Sequence, residues 1–261
     1  MSRDELQLRL DCDAIQRAYI VEDQRERRLH FTQSSVQSVM SLQDPDALIA
    51  PYTRKMMAFL LYHPEPVHIL MLGLGGGSLA KFCYRHLPNT RITVVEIDPD
   101  VIALRDEFCI PRDDARLRIV HADAVRYLRR LRTRFDVILV DAFDDGGVAG
   151  SLSQSDFYAQ AASHLSLNGM LVVNLAAHAD DCYVDNIGAV LLAFTGRIVL
   201  VPVQSDDNLV LFAHQRSMPR AITQDLRARA VRLQAQLQLE FPRFLRLIYQ
   251  GYVLSRGPHT D

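Results

Sequence analysis

The sequence predicts an α/β fold: a doubly wound, mostly parallel sheet preceded by a small β region and followed by C-terminal helices. Three observations point to it. Apolar runs of strand length recur at 67–72, 91–95, 117–121, 135–140 and 169–175, and each is followed by a segment of helical period. The run 135–140 is apolar at nearly every position, as a strand covered by helices on both faces must be. Four glycines, Gly73, Gly75, Gly76 and Gly77, join the first run to its helix, where a Cβ would block the close approach of backbone to a ligand.

The elements follow in order. Short β-prone stretches at 17–22, 28–31 and 35–40, separated by polar residues, predict a small N-terminal sheet. Asp44-Pro45 marks a turn, and a helix over 52–62 is ended by His63-Pro64. Strand 67–72 passes through the glycines into a helix opened by Ser78, with Leu79, Phe82 and Leu87 on one side. Strand 91–95, helix 100–108, strand 117–121, helix 125–131 and strand 135–140 alternate. Helix 154–165, strand 169–175, helix 183–194 and strands 197–203 and 209–213 complete the sheet, closed by an antiparallel edge. Residues 220–261 are Arg-rich and amphipathic, with Pro242 at a break between helices. The expected division is an N-terminal β region over 1–50, a nucleoside-binding catalytic domain over 51–217 and a helical extension over 218–261.

Composition bounds the function. A chain of 261 residues that is 49% hydrophobic can bury a full core, and a net charge of -2 leaves no footprint for nucleic acid. Cys12, Cys83, Cys109 and Cys182 have no paired spacing, so neither a disulfide framework nor a metal site is expected. No stretch approaches the roughly 18 apolar residues of a membrane span, and the charged N-terminus lacks a signal-peptide core. The expectation is a cytoplasmic protein with a small-molecule substrate, and no nucleic acid, membrane or metal.

In doubly wound sheets, ligands bind beyond the carboxyl ends of the strands, where strand order reverses. Acidic residues recur at that level: Glu96 and Asp98 after the second strand of the sheet, Asp123 after the third, and Asp141, Asp144 and Asp145 after the fourth. Glu96 lies about 20 residues past the glycines, where a carboxylate accepts hydrogen bonds from both ribose hydroxyls. The glycines run G-x-G-G-G rather than G-x-G-x-x-G, which favours a mononucleoside such as S-adenosylmethionine over a dinucleotide. Asp123 can cap the following helix and still face an adenine amino group. Carboxylates clustered at Asp141, Asp144 and Asp145 repel one another, so at least one should have a raised pKa and be able to take a proton from an amine. The bland reading of Asp144 to Gly147 is a turn. The series Arg126, Arg129, Arg130, Arg132 and Arg134 reads as a solvated helix face. His178 has no nucleophile partner, and His30, His68 and His214 read as core or surface residues.

Several segments together, LGLGGGSLAKF, VVEIDPDVIALRDEF, VHADAVRYLRR, FDVILVDAFDD and SQSDFYAQAASHLSLNGMLVVN, resemble the spermidine synthase family of polyamine aminopropyltransferases, which share the Rossmann-like class I methyltransferase fold. The resemblance covers about residues 35–215. It implies transfer of an aminopropyl group from decarboxylated S-adenosylmethionine to a putrescine-like amine, with methylthioadenosine leaving. It implies that Gln37 closes over the nucleoside, that Gly73, Gly75 and Gly77 cradle it, and that Glu96, with Asp98 nearby, holds its ribose. Asp123 with Ala124 would meet the adenine, Asp141 would be the catalytic carboxylate of a D-x-x-D pattern with Asp144 its second member, and Tyr52 would help hold the amine. It also implies a homodimer. Three departures from the family pattern stand out. Ser78 and Leu79 replace the D-G of G-G-G-D-G, Arg54 stands where a glutamate is expected, and PVQSDDNLVLF, with Asp206 and Asp207, replaces a proline- and aromatic-rich stretch. The alternatives are a methyltransferase using intact S-adenosylmethionine and a nucleoside-binding homologue without turnover.

Overall fold

The computed structural model describes residues 18–31, 36–144, 147–148, 155–176, 182–194, 198–203, 208–216 and 221–254. Cys12, Asp145, His178, Asp206 and Asp207 lie outside the described residues. Three strands, β1 (Tyr19–Glu22), β2 (Glu26–His30) and β3 (Val36–Ser41), form the small antiparallel sheet expected at the N-terminus. The main sheet has seven strands: β4 (His68–Leu72), β5 (Arg91–Glu96), β6 (Leu117–His121), β7 (Phe135–Val140), β10 (Leu165–Ala176), β11 (Ile198–Pro202) and β12 (Asn208–His214), in the order β11-β12-β10-β7-β4-β5-β6. A two-residue ribbon, β8 (Phe143–Asp144) with β9 (Gly147–Val148), projects beyond β7.

Helices cover both faces, and the strands show why. On β4, Ile69 and Met71 enter one core cluster while Leu70 and Leu72 enter the other. β7 repeats this with Val137 and Leu139 against Ile138 and Val140, and β10 with Met170 and Val172 against Leu171 and Val173. A strand whose two parities are both apolar is stable only between two layers. The helices of the sheet unit are α1 (Pro51–Met56), α2 (Ser78–His86), α3 (Pro99–Ala103), α4 (Ala124–Arg130), α5 (Ser155–Ser163) and α6 (Cys182–Ala193), with α7 (Gln224–Leu237) and α8 (Phe241–Leu254) after it. All five arginines of the 126–134 series are exposed. No helix among the described residues is long and apolar enough to cross a membrane.

Three expectations are corrected in detail. The antiparallel strand is not the edge: β12 runs antiparallel to both β10 and β11 and lies between them, so the outermost strand β11 is again parallel to the rest. The helix expected over 52–62 is α1 continued by a 3₁₀ turn, Met57–Leu61, because the amides of Tyr62 and His63 both return to the Phe59 carbonyl ahead of Pro64. The helix expected over 100–108 stops at Ala103. The following turns, with Cys109 at φ 55°, deliver Phe108 and Ile110 against the glycine loop at Gly76 and Gly77. Fully buried Lys81, on α2, donates from Nζ to the Phe108 carbonyl at 2.7 Å and holds that turn in place.

Candidate active site

Strand order reverses between β4 and β7, and the site forms at their carboxyl ends. The Gly73 amide donates to the Val95 carbonyl and the Asp141 amide to the Leu72 carbonyl, each at 2.9 Å, so the tips of β5, β4 and β7 are stitched together. Gly73 has φ 100°, and a Cβ there would lie 2.2 Å from the Asp141 carbonyl oxygen. Only glycine tolerates both the left-handed backbone and that approach. Gly75, at φ 50°, turns under the N-terminal sheet, where Ser38 of β3 lies beside the loop. The loop is thus roofed by β3 and floored by Phe108 and Ile110.

Glu96 ends β5 and is buried. Its Oε2 accepts from the Leu74 amide at 2.8 Å and its Oε1 from the Asp98 amide at 2.9 Å, which fixes the carboxylate against the glycine loop. Each oxygen keeps a lone pair for a further donor. Asp98 is the N-cap of α3, accepting from the Asp100 amide at 2.8 Å, and Asp123 is the N-cap of α4, accepting from the Arg126 amide at 2.8 Å. Ala124 opens α4. Gln37 falls where β2 pairs Leu29 with Ser38 but His30 with Val36, a bulge of the kind that re-aims a side chain.

Asp141 follows β7. Tyr52, on α1, donates from its hydroxyl to Asp141 Oδ2 at 3.3 Å, and Asn174, on β10, donates from Nδ2 to Oδ1 at 3.0 Å. Burial pushes the Asp141 carboxyl up to about 6, against the two hydrogen bonds that pull it down. Desolvation is the largest cause of the rise. Asp144 is placed in β8, its backbone paired with Gly147. Ser78 is the first residue of α2, behind the left-handed Gly77. Arg54, which stands where the family pattern has a glutamate, is matched by a carboxylate: its Nη2 lies 2.9 Å from Glu240 Oε1.

Sequence reasoning missed Asn174. It is only 2% exposed, and its Oδ1 finds no hydrogen-bond partner. A buried orphan acceptor costs free energy unless a ligand supplies the donor. The signal was present: a single polar residue interrupts the apolar run LVVNLAA at the strand level that yields Glu96 and Asp141.

A mostly parallel sheet reversing at β4 and β7, with a glycine cradle, a braced acid after the next strand and a desolvated carboxylate at the reversal point, defines a class I methyltransferase-type fold. A probable spermidine synthase from Corynebacterium glutamicum shares it, with a TM-score of 0.68 over 83% of each chain at 20% identity. Residues 27–179 match the spermine/spermidine synthase domain. The chain is 35% identical over 246 residues, 94% of each chain, to a polyamine aminopropyltransferase of Chromobacterium violaceum. It is 36% identical over 228 residues, 87% of its own length and 86% of the relative's, to one from Neisseria meningitidis serogroup A. This protein belongs to the spermine/spermidine synthase family.

Proposed function

We propose that the protein is an aminopropyltransferase that moves the aminopropyl group of decarboxylated S-adenosylmethionine to a putrescine-like amine and releases methylthioadenosine. The observation that carries this reading is Asp141: a carboxylate at the sheet's reversal point, raised to about 6 and held by Tyr52 and Asn174. The amine lone pair forms a bond to the methylene carbon attached to the sulfonium, the carbon–sulfur bond breaks onto sulfur, and the nitrogen's proton passes to Asp141. A protonated amine is no nucleophile, and a carboxylate raised to about 6 is a better base than an ordinary one while still ionised at pH 7. The orphan Oδ1 of Asn174 accepts a second N–H from the same amine. Gly73, Gly75 and Gly77 cradle the nucleoside, Glu96 holds the ribose with Asp98 fixing the turn beside it, and Asp123 and Ala124 face the adenine. Gln37 covers the site, Tyr52 orients the amine and Asp144 is the second carboxylate of the D-x-x-D pattern. A cytoplasmic homodimer is the form expected for it.

Methylthioadenosine release with putrescine, spermidine and other diamines tests the reading, and its absence with every amine would overturn it. Because Asp141 acts as the ionised base, kcat/KM should rise with pH through about 6, with the amine's own loss of a proton adding a separate rise at higher pH. Calorimetry with decarboxylated and intact S-adenosylmethionine tests the donor. Ser78 leaves no carboxylate at the start of α2 to repel an intact donor, so tighter binding of that form would move the protein to the methyltransferases. Glu96→Gln is expected to weaken nucleoside binding about 10²-fold, through loss of charge-assisted bonds to two hydroxyls. Unchanged affinity in the same calorimeter would leave Glu96 as a loop brace only.

A further inference from the structure

Tyr52 reaches Asp141 from outside the sheet, on α1. That helix has six residues and no side-chain cap at its start, and it runs directly into the 3₁₀ turn Met57–Leu61. So short a helix is not stable by itself. Its support comes from the C-terminal helices. Residues 56–61 are at most 1% exposed and share one core cluster with Leu226, Phe241, Phe244 and Ile248. A polar tie closes each end of the unit. Arg54, on α1, pairs with Glu240, the residue before α8, at 2.9 Å. Arg229, on α7, donates from Nη1 to the Leu61 carbonyl at 2.6 Å, at the last residue of the 3₁₀ turn.

We propose that Glu240 and Arg229 are positioning residues: the C-terminal helix pair clamps the Tyr52 helix at both ends and thereby sets the Tyr52 to Asp141 contact. This rests on the catalytic reading of Asp141 given above. The contact is poised, because 3.3 Å is long for an O–H···O hydrogen bond, so a shift of α1 by a few tenths of an ångström makes or breaks it. The Arg54 and Glu240 side chains are 34% and 48% exposed. Such a pair adds little to folding stability, and what it supplies here is register. The same pair keeps the Arg54 cation matched on the helix that carries the amine-site tyrosine.

Among the described residues, the groups that act on Asp141 are Asn174 from β10 and Tyr52 from α1, neither charged. Loss of the Tyr52 bond therefore leaves the carboxylate less stabilised and raises its pKa. The experiment is the titration of Asp141 by carboxyl carbon-13 NMR in ligand-free protein, with Asp141→Asn assigning the resonance. Tyr52→Phe is expected to move the midpoint upward by about half a pH unit or more. Glu240→Gln and Arg229→Met should each move it the same way, and neither should add to the shift once Tyr52→Phe is present. Arg54→Lys, which keeps the ion pair, should titrate as the wild type does. A wild-type midpoint in Glu240→Gln and Arg229→Met beside a raised one in Tyr52→Phe overturns the clamp, as do additive shifts or an unmoved midpoint in Tyr52→Phe itself. Glu240 is exposed, so its variant keeps the test alive if Arg229→Met folds poorly. The titration needs no turnover, so failure of aminopropyl transfer would appear separately, as missing methylthioadenosine.

Discussion

Asp141→Asn is expected to lower turnover about 10²-fold or more and, at neutral pH, to make the protein more stable. The two effects share one origin. Burial raises the carboxyl from 3.8 to about 6, so keeping it ionised at pH 7 costs about two pK steps at roughly 1.4 kcal/mol each, up to about 3 kcal/mol. Asp141 is only half-buried, and the amide must find new partners among Tyr52 and Asn174, so a gain of about 1 kcal/mol is the expected outcome. The sign follows from linkage. The folded pKa lies above the unfolded one, so the cost is fully present above about 6, shrinks as pH falls, and is gone below 3.8. The stability difference between variant and wild type should therefore close between about pH 6 and pH 4, which denaturant unfolding at several pH values measures. Nucleoside affinity should be unchanged. If binding and turnover fall together, Asp141 is a ligand contact or a structural residue and the assignment of the base is wrong.

Gly73→Ala is expected to be the most damaging small substitution in the loop. The new Cβ would lie 2.2 Å from the carbonyl oxygen of Asp141 with the backbone at φ 100°. The left-handed conformation alone costs about 1–2 kcal/mol, and a backbone carbonyl cannot swing away as a flexible side chain would. A loss of about 3 kcal/mol or more is expected, from denaturant unfolding. Because the blocking atom belongs to Asp141, turnover should fall further than stability and nucleoside binding account for. Gly75→Ala is the control: its Cβ would stand 3.7 Å from Ser38, so about 1–2 kcal/mol of backbone strain is all that is expected. Equal losses at the two positions would mean that the loop moves freely against β7.

The layers of the fold were legible because β4 and β7 are apolar on both parities, and only a sheet covered twice satisfies that pattern. The placement of β12 was not legible. Periodicity says that a strand exists and nothing about which neighbour it pairs with, so the inserted antiparallel strand had to come from the structure. The early end of α3 was hidden for a related reason. Phe108 and Ile110 fit a continuing helix as well as a turn, and packing against Gly76 and Gly77 decides between them. In the site, Glu96 and Asp141 were legible from their place at strand tips, and the family's motifs assigned them roles. Asn174 was passed over because a lone amide in an apolar strand carries no motif, and its orphaned oxygen is what draws attention to it. The raised pKa was expected at the acidic cluster, and its largest cause, burial, is a quantity that residue spacing does not measure. The partner of Arg54, Glu240, was not legible because it stands 186 residues away.

β12 is paired with β10 along Met170 to Ala176, and this orders events during synthesis. The glycine cradle, Glu96 and Asp123 are all made within the first half of the chain. Asn174 sits on a strand whose outer side has no partner until 208–214 has left the ribosome, and the Tyr52 helix waits longer still, for Arg229 and Glu240. Domains generally fold as units, so the seven-stranded sheet that carries Asp141 and Asn174 closes only after 208–214 has been made. A truncated product that ends before 208 would leave the β10 edge from Met170 to Ala176 without its partner, a row of open backbone groups that invites pairing with another chain.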